Sequence, residues 1–268
     1  MPGVEAYREE SSGSARTLHY ARTLQLPAGP AVLELSWSDD GFTAAVRLAH
    51  PGDLAAVRER VEHLCDLDRE ITPVERWLSR DPLLGSLVAA SPGLRVPGTV
   101  DAEEQLFRTM IGQQISLAGA ASLAGKLVLR FGEPWPDGPD TVSTPAGPLT
   151  RLFPTASALA GADPATLPMP AARAGALVGV ARALATGELA LDPTADPAEV
   201  RTRLLAQRGI GPWTADYVLV RALRHPDVLL ETDLVIRREL LARRVADTTR
   251  WSPWRSYATM HLWQAWLG

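Results

Sequence analysis

The sequence predicts an α+β fold: a mostly helical body that contains a helix-hairpin-helix motif, preceded by a small N-terminal antiparallel β-sheet domain. Three observations support this prediction. Residues 1–50 contain stretches of alternating apolar and polar residues between turn-forming residues, which is typical of strands. Beyond residue 53, apolar residues recur every three or four positions, as they do in helices. Near the C-terminus, Gly209-Ile210-Gly211 indicates a tight turn between two helices.

The N-terminal part is predicted to contain strands, turns and two helices. The strand candidates are residues 18–26, 31–37 and 42–48. The Pro-Ala-Gly-Pro sequence at residues 27–30 predicts a turn, and Ser38-Asp39-Asp40-Gly41 predicts the hairpin turn between the last two strands. The helices are predicted at residues 53–67 and 81–89.

A link rich in Pro and Gly at residues 92–99 marks the predicted domain boundary. We therefore predict an N-terminal domain over residues 1–95 and a helical domain over residues 96–268. The sequence Gly112-Gln113-Gln114 interrupts the first long helical stretch, and residues 133–150 predict a surface loop. The helices predicted in this domain are residues 101–111, 117–131, 171–185, 197–206, the second hairpin helix from Pro212 through Ala222, and residues 233–243 and 253–266.

Composition narrows the class of protein. Apolar residues make up 46% of the chain, no run of about 18 apolar residues occurs, and no signal peptide pattern is present. We therefore expect a folded chain without a membrane span. Cys65 is the only cysteine, which excludes an internal disulfide and a four-cysteine iron–sulfur cluster and favours a cytoplasmic location. The five His residues show no ligand spacing, so no metal site is predicted.

The net charge of −4 and the distribution of charge along the chain point to different partners. An acidic chain argues mildly against a nucleic-acid partner. Residues 201–268, however, hold 11 Arg against 6 acidic residues, and this segment also carries the predicted hairpin. The C-terminal third is therefore expected to face DNA, with the alternative that the excess lies on solvated helix faces.

The hairpin itself predicts an anion-binding point. Gly209 and Gly211 flank one apolar residue, and Pro212 suits the first position of the next helix. Two helices closed this tightly direct several backbone N–H groups at one point, where a phosphate fits. Such a hairpin alone is compatible with an enzyme or with a non-catalytic DNA-binding module.

Several sequence blocks together resemble one enzyme family. The blocks are Gly112-Gln113-Gln114-Ile115-Ser116, Gly209-Ile210-Gly211, Pro212-Trp213-Thr214-Ala215-Asp216-Tyr217, Trp251-Ser252-Pro253-Trp254-Arg255-Ser256-Tyr257-Ala258 and His261-Leu262-Trp263, with Asp233 about twenty residues after the hairpin. In this order they resemble the helix-hairpin-helix DNA glycosylases and, among them, the DNA-3-methyladenine glycosylase II (AlkA-type) branch. The resemblance covers nearly the whole chain. It begins near Val4, so the family's first strand has no counterpart, and we expect a sheet with an unpaired edge. A shortened start or a piece of a longer repair fusion would explain this.

Asp233 is the candidate catalytic residue. Its local sequence predicts only the N-cap of a helix. The resemblance implies that its carboxylate stabilises the positive charge that develops on the sugar during cleavage of an N-glycosidic bond, and orients water. Three carboxylates compete for this role; Asp216 and Asp227 are interpreted as structural, and Glu231 is the third.

The resemblance also implies an aromatic pocket for the extruded base, formed by Trp213, Tyr217 and Trp263. Alkylated purines carry a positive charge, so aromatic rings attract them by stacking and cation–π interaction. Trp251 and Trp254 are assigned to packing. In the best-known relative a second tyrosine follows the last tryptophan of the set, whereas Gln264 occupies that place here.

Further residues are expected to bind DNA. The resemblance implies that Gly209, Gly211 and Thr214 hold a phosphate. Arg208, where proline is common, adds a contact or loosens the turn. Gln114 matches the position of a minor-groove wedge for which the known relative uses leucine. Relatives also bind a monovalent cation at the hairpin; no organic cofactor is implied.

The resemblance implies a monomeric repair glycosylase that flips alkylated purines out of damaged double-stranded DNA. Bifunctional members of the superfamily place a nucleophilic lysine where this chain has Trp213, and the single lysine, Lys126, lies on another predicted helix. We therefore expect a monofunctional enzyme without a lyase step. The alternatives are an oxidised-purine glycosylase on the same scaffold and a non-catalytic DNA-binding module.

Overall fold

The computed structural model describes residues 1, 3–12, 15–38, 41–135 and 142–267. The chain folds into two compact units, each built from two segments: Met1–Val61 with Phe107–Glu188, and Glu62–Leu106 with Leu189–Gly268. The predicted boundary at residues 95 and 96 lies within the second unit, and that division into domains stays a prediction.

The first unit contains the antiparallel sheet that the sequence predicts. Its four strands follow in the order β1 Glu5–Ser12, β2 Ala15–Gln25, β3 Pro30–Ser38 and β4 Gly41–Leu48. Tyr20 of β2 lies opposite Tyr7 of β1 and Leu35 of β3, which fixes the register of the three strands. Asp39 and Asp40 of the predicted hairpin turn lie outside the described residues.

Strand β1 was not among the predicted strands, and among the described residues it lies at the edge of the sheet with β2 as its strand partner. The edge is covered at its start, because the carbonyl of Gly3 accepts hydrogen bonds from the backbone N–H groups of Thr150 (2.8 Å) and Arg151 (2.9 Å). These bonds cover only Gly3, which precedes β1, so the expected unpaired edge is present along β1 itself. Those two residues follow a short hairpin that packs against the sheet.

The prediction of a surface loop over residues 133–150 is wrong for its second half. A two-stranded hairpin, β5 Val142–Thr144 and β6 Gly147–Leu149, lies there. Val142 and Leu149 are buried with Val32 of the sheet. Pro145 and Ala146 form the turn between the two strands, whereas Gly147 and Pro148 belong to β6, so composition alone did not distinguish this hairpin from a loop. Residues 136–141 of the predicted loop lie outside the described residues.

Helices make up the rest of both units. In chain order they are α1 Leu54–Cys65, α2 Ile71–Leu78, α3 Pro82–Ala90, α4 Ala102–Gly112, α5 Leu117–Phe131, α6 Ala156–Ala160, α7 Ala171–Ala185, α8 Pro197–Leu205, α9 Pro212–Arg221, α10 Leu234–Ala242 and α11 Arg255–Leu267. The combination of an N-terminal antiparallel sheet with a mostly helical body confirms the predicted fold class. In the part of the chain that the structure describes, every helix is too short or too polar to cross a bilayer.

The core of the second unit positions the candidate site. Trp251, Tyr257 and Leu262 are buried together with residues of α3, α9 and α10. The Trp251 indole donates to Oδ2 of Asp81 (3.0 Å), and the Tyr257 hydroxyl donates to Oδ2 of Asp66 (2.6 Å), so both buried polar groups have partners. This packing holds α9, α10 and α11 around the same apolar centre.

Candidate functional site

The helix-hairpin-helix motif is formed by α8 and α9. Gly209 in the connection has φ +86°, a left-handed conformation that glycine adopts without strain. Gly211 is the N-cap of α9, and Pro212 occupies its first turn as predicted. The two helices are joined by Arg201 and Asp216, whose Nε–Oδ1 distance is 2.6 Å. Asp216 is buried in this pair, which agrees with its structural interpretation.

The predicted phosphate-binding residues of the hairpin differ in exposure. Arg208, Gly209 and Gly211 are exposed, so both their backbone and the Arg208 side chain are accessible to a ligand. Thr214 is only 2% exposed, so a phosphate at this turn would meet backbone N–H groups rather than the Thr214 hydroxyl. The assignment of these four residues to DNA stays a prediction.

Asp233 has the N-cap role that its local sequence predicts, and also further contacts. Its Oδ1 accepts from the backbone N–H groups of Val235 (2.9 Å) and Ile236 (3.1 Å) at the start of α10. The indole of Trp263 donates to the same oxygen at 3.2 Å, and the indole of Trp213 donates to Oδ2 at 3.0 Å. Four donors therefore fix one half-buried carboxylate.

The three predicted aromatic residues come together beside this carboxylate. The rings of Trp213 and Tyr217 stack with centroids 4.9 Å apart and an interplanar angle of 17°. The ring of Trp263, on α11, lies 6.3 Å from that of Tyr217 at a 57° tilt. All three side chains are half-buried, and Tyr217 and Trp263 pack against the core of the second unit.

Arg221 belongs to the same group and was missed in the sequence. Its Nη1 donates to the Tyr217 hydroxyl at 3.1 Å, its guanidinium carbon lies 5.7 Å from the Tyr217 ring centroid, and its Nε donates to the carbonyl of Pro97. Trp213, Tyr217 and Arg221 follow each other at intervals of four residues, so they form one column along α9. That spacing was the available signal.

Of the competing carboxylates, Asp227 is committed elsewhere. Arg255 donates to it from Nε (2.7 Å) and Nη2 (3.0 Å), and the Ser252 hydroxyl donates at 2.7 Å. Burial alone would raise the pKa of Asp227, but the hydrogen bonds from Arg255 and Ser252 lower it below its usual value. Asp227 thus holds Arg255, the first residue of α11, in place. The third carboxylate, Glu231, is exposed.

Gln114 lies at the break between α4 and α5 in the first unit. It is exposed and has φ +59°, a left-handed conformation that is uncommon for a residue with a side chain. Its assignment as a wedge stays a prediction. Gln264 is likewise exposed. Among the described residues, no group of three or more His, Cys, Asp or Glu side chains is placed to hold a metal ion.

The fold and these residues define a protein of the helix-hairpin-helix DNA glycosylase fold, as a solved 3-methyladenine DNA glycosylase from Archaeoglobus fulgidus shows. That structure superposes with a TM-score of 0.73 and 22% identity over 95% of this chain and 87% of its own. The AlkA N-terminal domain family matches residues 1–101. A DNA-3-methyladenine glycosylase of Bacillus subtilis is 36% identical over 74% of this chain and 68% of its own length. The chain therefore belongs to the AlkA-type DNA-3-methyladenine glycosylase family.

A longer relative also matches almost the whole chain. This protein of Mycobacterium tuberculosis is named "Probable bifunctional transcriptional activator/DNA repair enzyme AlkA", and it is 36% identical over 98% of this chain. The chain spans about half of its length, 52%.

Proposed function

We propose that this protein is a base-excision repair glycosylase that binds double-stranded DNA, flips out an alkylated purine and hydrolyses its N-glycosidic bond. One observation carries the proposal: the indoles of Trp213 on α9 and Trp263 on α11 both donate a hydrogen bond to the carboxylate of Asp233. A fixed carboxylate beside aromatic rings matches the needs of a reaction that develops positive charge on a sugar.

The hydrogen bonds of Asp233 support its role as the charge-stabilising group. Hydrogen bonds from four N–H donors fix the orientation of the carboxylate. Three of the donors contact Oδ1, whereas Oδ2 receives only that of Trp213. Oδ2 therefore has the greater remaining capacity to face the anomeric carbon and a water molecule. No organic cofactor enters this reaction.

The aromatic residues support recognition of the base. Alkylation at N3 or N7 of a purine makes the base cationic and a good leaving group, so the protein need not protonate it strongly. Trp213 and Trp263 offer indole faces for stacking and cation–π attraction, which contribute about 0.5–2 kcal/mol each. Tyr217 lies between Trp213 and Arg221. We therefore propose that its main role is to hold the indole of Trp213 in place, and not to contact the base.

DNA binding is assigned to the exposed hairpin. The N–H groups near Gly209 and Gly211, together with the side chain of Arg208, bind a phosphate of the damaged strand, and Gln114 fills the gap left by the extruded base. A monovalent cation at the hairpin carbonyls, a monomeric state and a cytoplasmic location belong to the same proposal.

The enzyme is further proposed to be monofunctional. A lyase of this superfamily needs an amine near the sugar, and Trp213 stands in that place. Borohydride trapping on a duplex that contains the substrate base tests this part. The expected result is no covalent protein–DNA adduct, and efficient trapping would show that an amine does attack the sugar.

The central experiment compares wild-type protein with Asp233→Asn on methylated duplex DNA, with released bases resolved by chromatography. Asparagine is an equally good N-cap, so α10 should form and DNA binding should remain. Release of 3-methyladenine and 7-methylguanine should fall by on the order of 10²–10³. Asp247→Asn, which changes an exposed carboxylate, is the matched control and should retain activity. Release at the wild-type rate by Asp233→Asn would refute the assignment.

A further inference from the structure

Helix α10, which Asp233 caps, has an outer face that packing within the second unit does not explain. Ile236 is buried and Leu240 packs against the same core, so these two residues define the inner face. Leu234 is 81% exposed and Leu241 is 77% exposed, and both belong to the opposite side of the helix. Arg237 and Arg238 are exposed between them.

These four residues form one stripe. Positions 234, 237, 238 and 241 follow the spacing of i, i+3, i+4 and i+7, so they lie along one side of α10. Within the part of the chain that the structure describes, the side chains of Arg237 and Arg238 make neither an ion pair nor a hydrogen bond. Arg243, near the end of the same helix, is instead paired with Glu239 at 2.8 Å. The stripe therefore presents two uncompensated positive charges between two exposed leucines.

We infer that this stripe, made of Leu234, Arg237, Arg238 and Leu241, is a second DNA-contact surface that follows the sugar–phosphate backbone of the damaged strand. The inference rests on the proposed function, and it assigns to DNA a set of residues separate from the hairpin. Charge complementarity identifies the occupant, because a DNA strand is a regular polyanion and unpaired arginines are the usual groups that bind its phosphates.

The position and length of the stripe fit this occupant. Leu234 directly follows Asp233, so a nucleotide whose sugar lies at the carboxylate brings its neighbours to the first turns of α10. The seven-residue step from Leu234 to Leu241 corresponds to about 10 Å of helix. Nucleotides of one strand advance about 3.4 Å along the duplex axis, so the stripe spans about three of them. The arginines bind phosphates, and the leucines cover deoxyribose and base edges.

The test of the charge contribution is the salt dependence of binding to a duplex with a tetrahydrofuran abasic-site analogue, followed by fluorescence anisotropy. Each phosphate contact contributes about 0.9 to the slope of log affinity against log salt concentration. The Arg237→Gln/Arg238→Gln variant should bind more weakly than the wild type, with a slope shallower by about 1–2. Arg76→Gln/Arg80→Gln, which neutralises two exposed arginines at α2, is the matched control and should retain the wild-type slope. Equal slopes for the wild type and the α10 variant would overturn the inference.

The leucines are tested with Leu234→Asp/Leu241→Asp, which places two negative charges in the stripe. Its affinity for the same duplex should fall at least about tenfold, whereas Leu267→Asp, at another exposed leucine, should bind as the wild type does. Sedimentation velocity tests the alternative that a second copy of this chain occupies the stripe. A wild-type dimer that the double leucine variant converts to a monomer, with unchanged DNA affinity, would make the face an interface between two copies and refute our assignment.

The binding measurements on the abasic-site duplex separate the inference from the proposed function, because binding to that duplex needs no bond cleavage. If the α10 arginine variant shows the expected change in slope but the wild-type protein releases no base, the proposed function alone is overturned. Protein that releases bases while its α10 variants bind normally would overturn this inference alone.

Discussion

The indole of Trp213 donates its N–H to Oδ2 of Asp233 across 3.0 Å, and this bond joins the helical hairpin to the candidate catalytic carboxylate. Trp213 stands two residues after Gly211, within the first turn of α9. The segment proposed to bind phosphate and the group that fixes the carboxylate are therefore parts of one short helix. Any displacement of the hairpin would displace the Asp233 partner as well.

The first prediction is that Trp213→Phe slows base excision while the protein stays folded. Phenylalanine keeps an aromatic ring but removes the N–H donor, so Oδ2 of Asp233 loses its partner in the structure. A hydrogen bond to a charged group contributes about 1.5–3 kcal/mol, which corresponds to a decrease of roughly 10- to 100-fold in rate. Single-turnover excision on methylated duplex DNA measures this effect.

The control for that prediction is Trp266→Phe, which alters a half-exposed tryptophan near the end of α11. Both variants lose one indole, so a general effect of tryptophan replacement would appear in both. An unchanged rate for Trp213→Phe would show that the indole N–H does not support the chemistry.

The second prediction concerns Tyr217, whose ring lies between Trp213 and Arg221 on α9. Because the residues one turn before and one turn after approach the ring from their own sides, its faces are occupied without a base. Tyr217→Phe keeps this column and should change the excision rate by less than about threefold. Tyr217→Ala removes the support of Trp213 and should reduce the rate by more than about tenfold, as losses of positioning do.

Comparison of the Michaelis parameters distinguishes this from direct contact with the base. Loss of support for Trp213 should lower kcat, whereas loss of a base contact should raise KM for a cationic base. A large effect of Tyr217→Phe, confined to KM, would mean that the Tyr217 hydroxyl itself binds the base.

The third prediction is that Glu5 contributes stability that disappears in acid. The Arg108 guanidinium donates to both of its carboxylate oxygens, at 2.8 and 3.2 Å, and Tyr20 donates at 3.0 Å. Burial alone would raise the pKa of Glu5, but the charges of Arg108 and Arg22 lower it from 4.5 to about 2. Because the folded-state pKa is the lower one, the ionised carboxylate stabilises the fold above pH 4.5.

This contribution should be lost as the pH falls from 4.5 to about 2. Urea unfolding of wild type and Glu5→Gln should differ by on the order of 2–3 kcal/mol at pH 7, and the difference should shrink towards pH 3. The control is Glu9→Gln, which alters a residue of β1 whose exposed ion pair is with Arg16 of β2, and it should change stability by less than about 1 kcal/mol. A difference for Glu5→Gln that does not vary with pH would contradict the assignment.

The regular spacing of apolar residues predicted most of the fold, and the prediction failed where a segment has too few apolar residues to show such spacing. Strands β2 to β4 and the long helices carry apolar residues at regular spacing, so they were predicted near their observed positions. Strand β1 reads Glu-Ala-Tyr-Arg-Glu-Glu-Ser-Ser, and its second half has no apolar residue to alternate with. It forms because its backbone pairs with β2 along its whole length, which its own side chains do not reveal.

The candidate site could be predicted in its members but not in its contacts. Asp233, Trp213 and Trp263 were singled out by their resemblance to family positions, and the structure brings them together. Their hydrogen bonds join residues 20 and 30 positions apart, so packing of α9, α10 and α11 determines them rather than any local pattern. Arg221 was missed although its four-residue spacing from Tyr217 was visible in the sequence, whereas its bond to Pro97, 124 positions away, could not be predicted from local sequence.

The last prediction concerns Gln114 and the extrusion of the base. Its φ of +59° is a conformation that costs on the order of 1 kcal/mol for a residue with a side chain, and such strain is often kept at functional sites. Nearby Leu117 is 91% exposed and is the apolar alternative for a wedge. Extrusion costs a few kcal/mol for a well-paired base and less for a mismatched one.

If Gln114 fills the gap, Gln114→Ala should slow excision of 7-methylguanine about tenfold when the base is paired with cytosine in the duplex. The loss should be less than about threefold when the 7-methylguanine is opposite an abasic analogue, because no base pair must then be broken. Leu117→Ala serves as the comparison and should show no such dependence on pairing. A pairing-dependent loss in Leu117→Ala, with Gln114→Ala unaffected, would transfer the wedge to Leu117 and leave the strain at Gln114 as a property of the helix break alone.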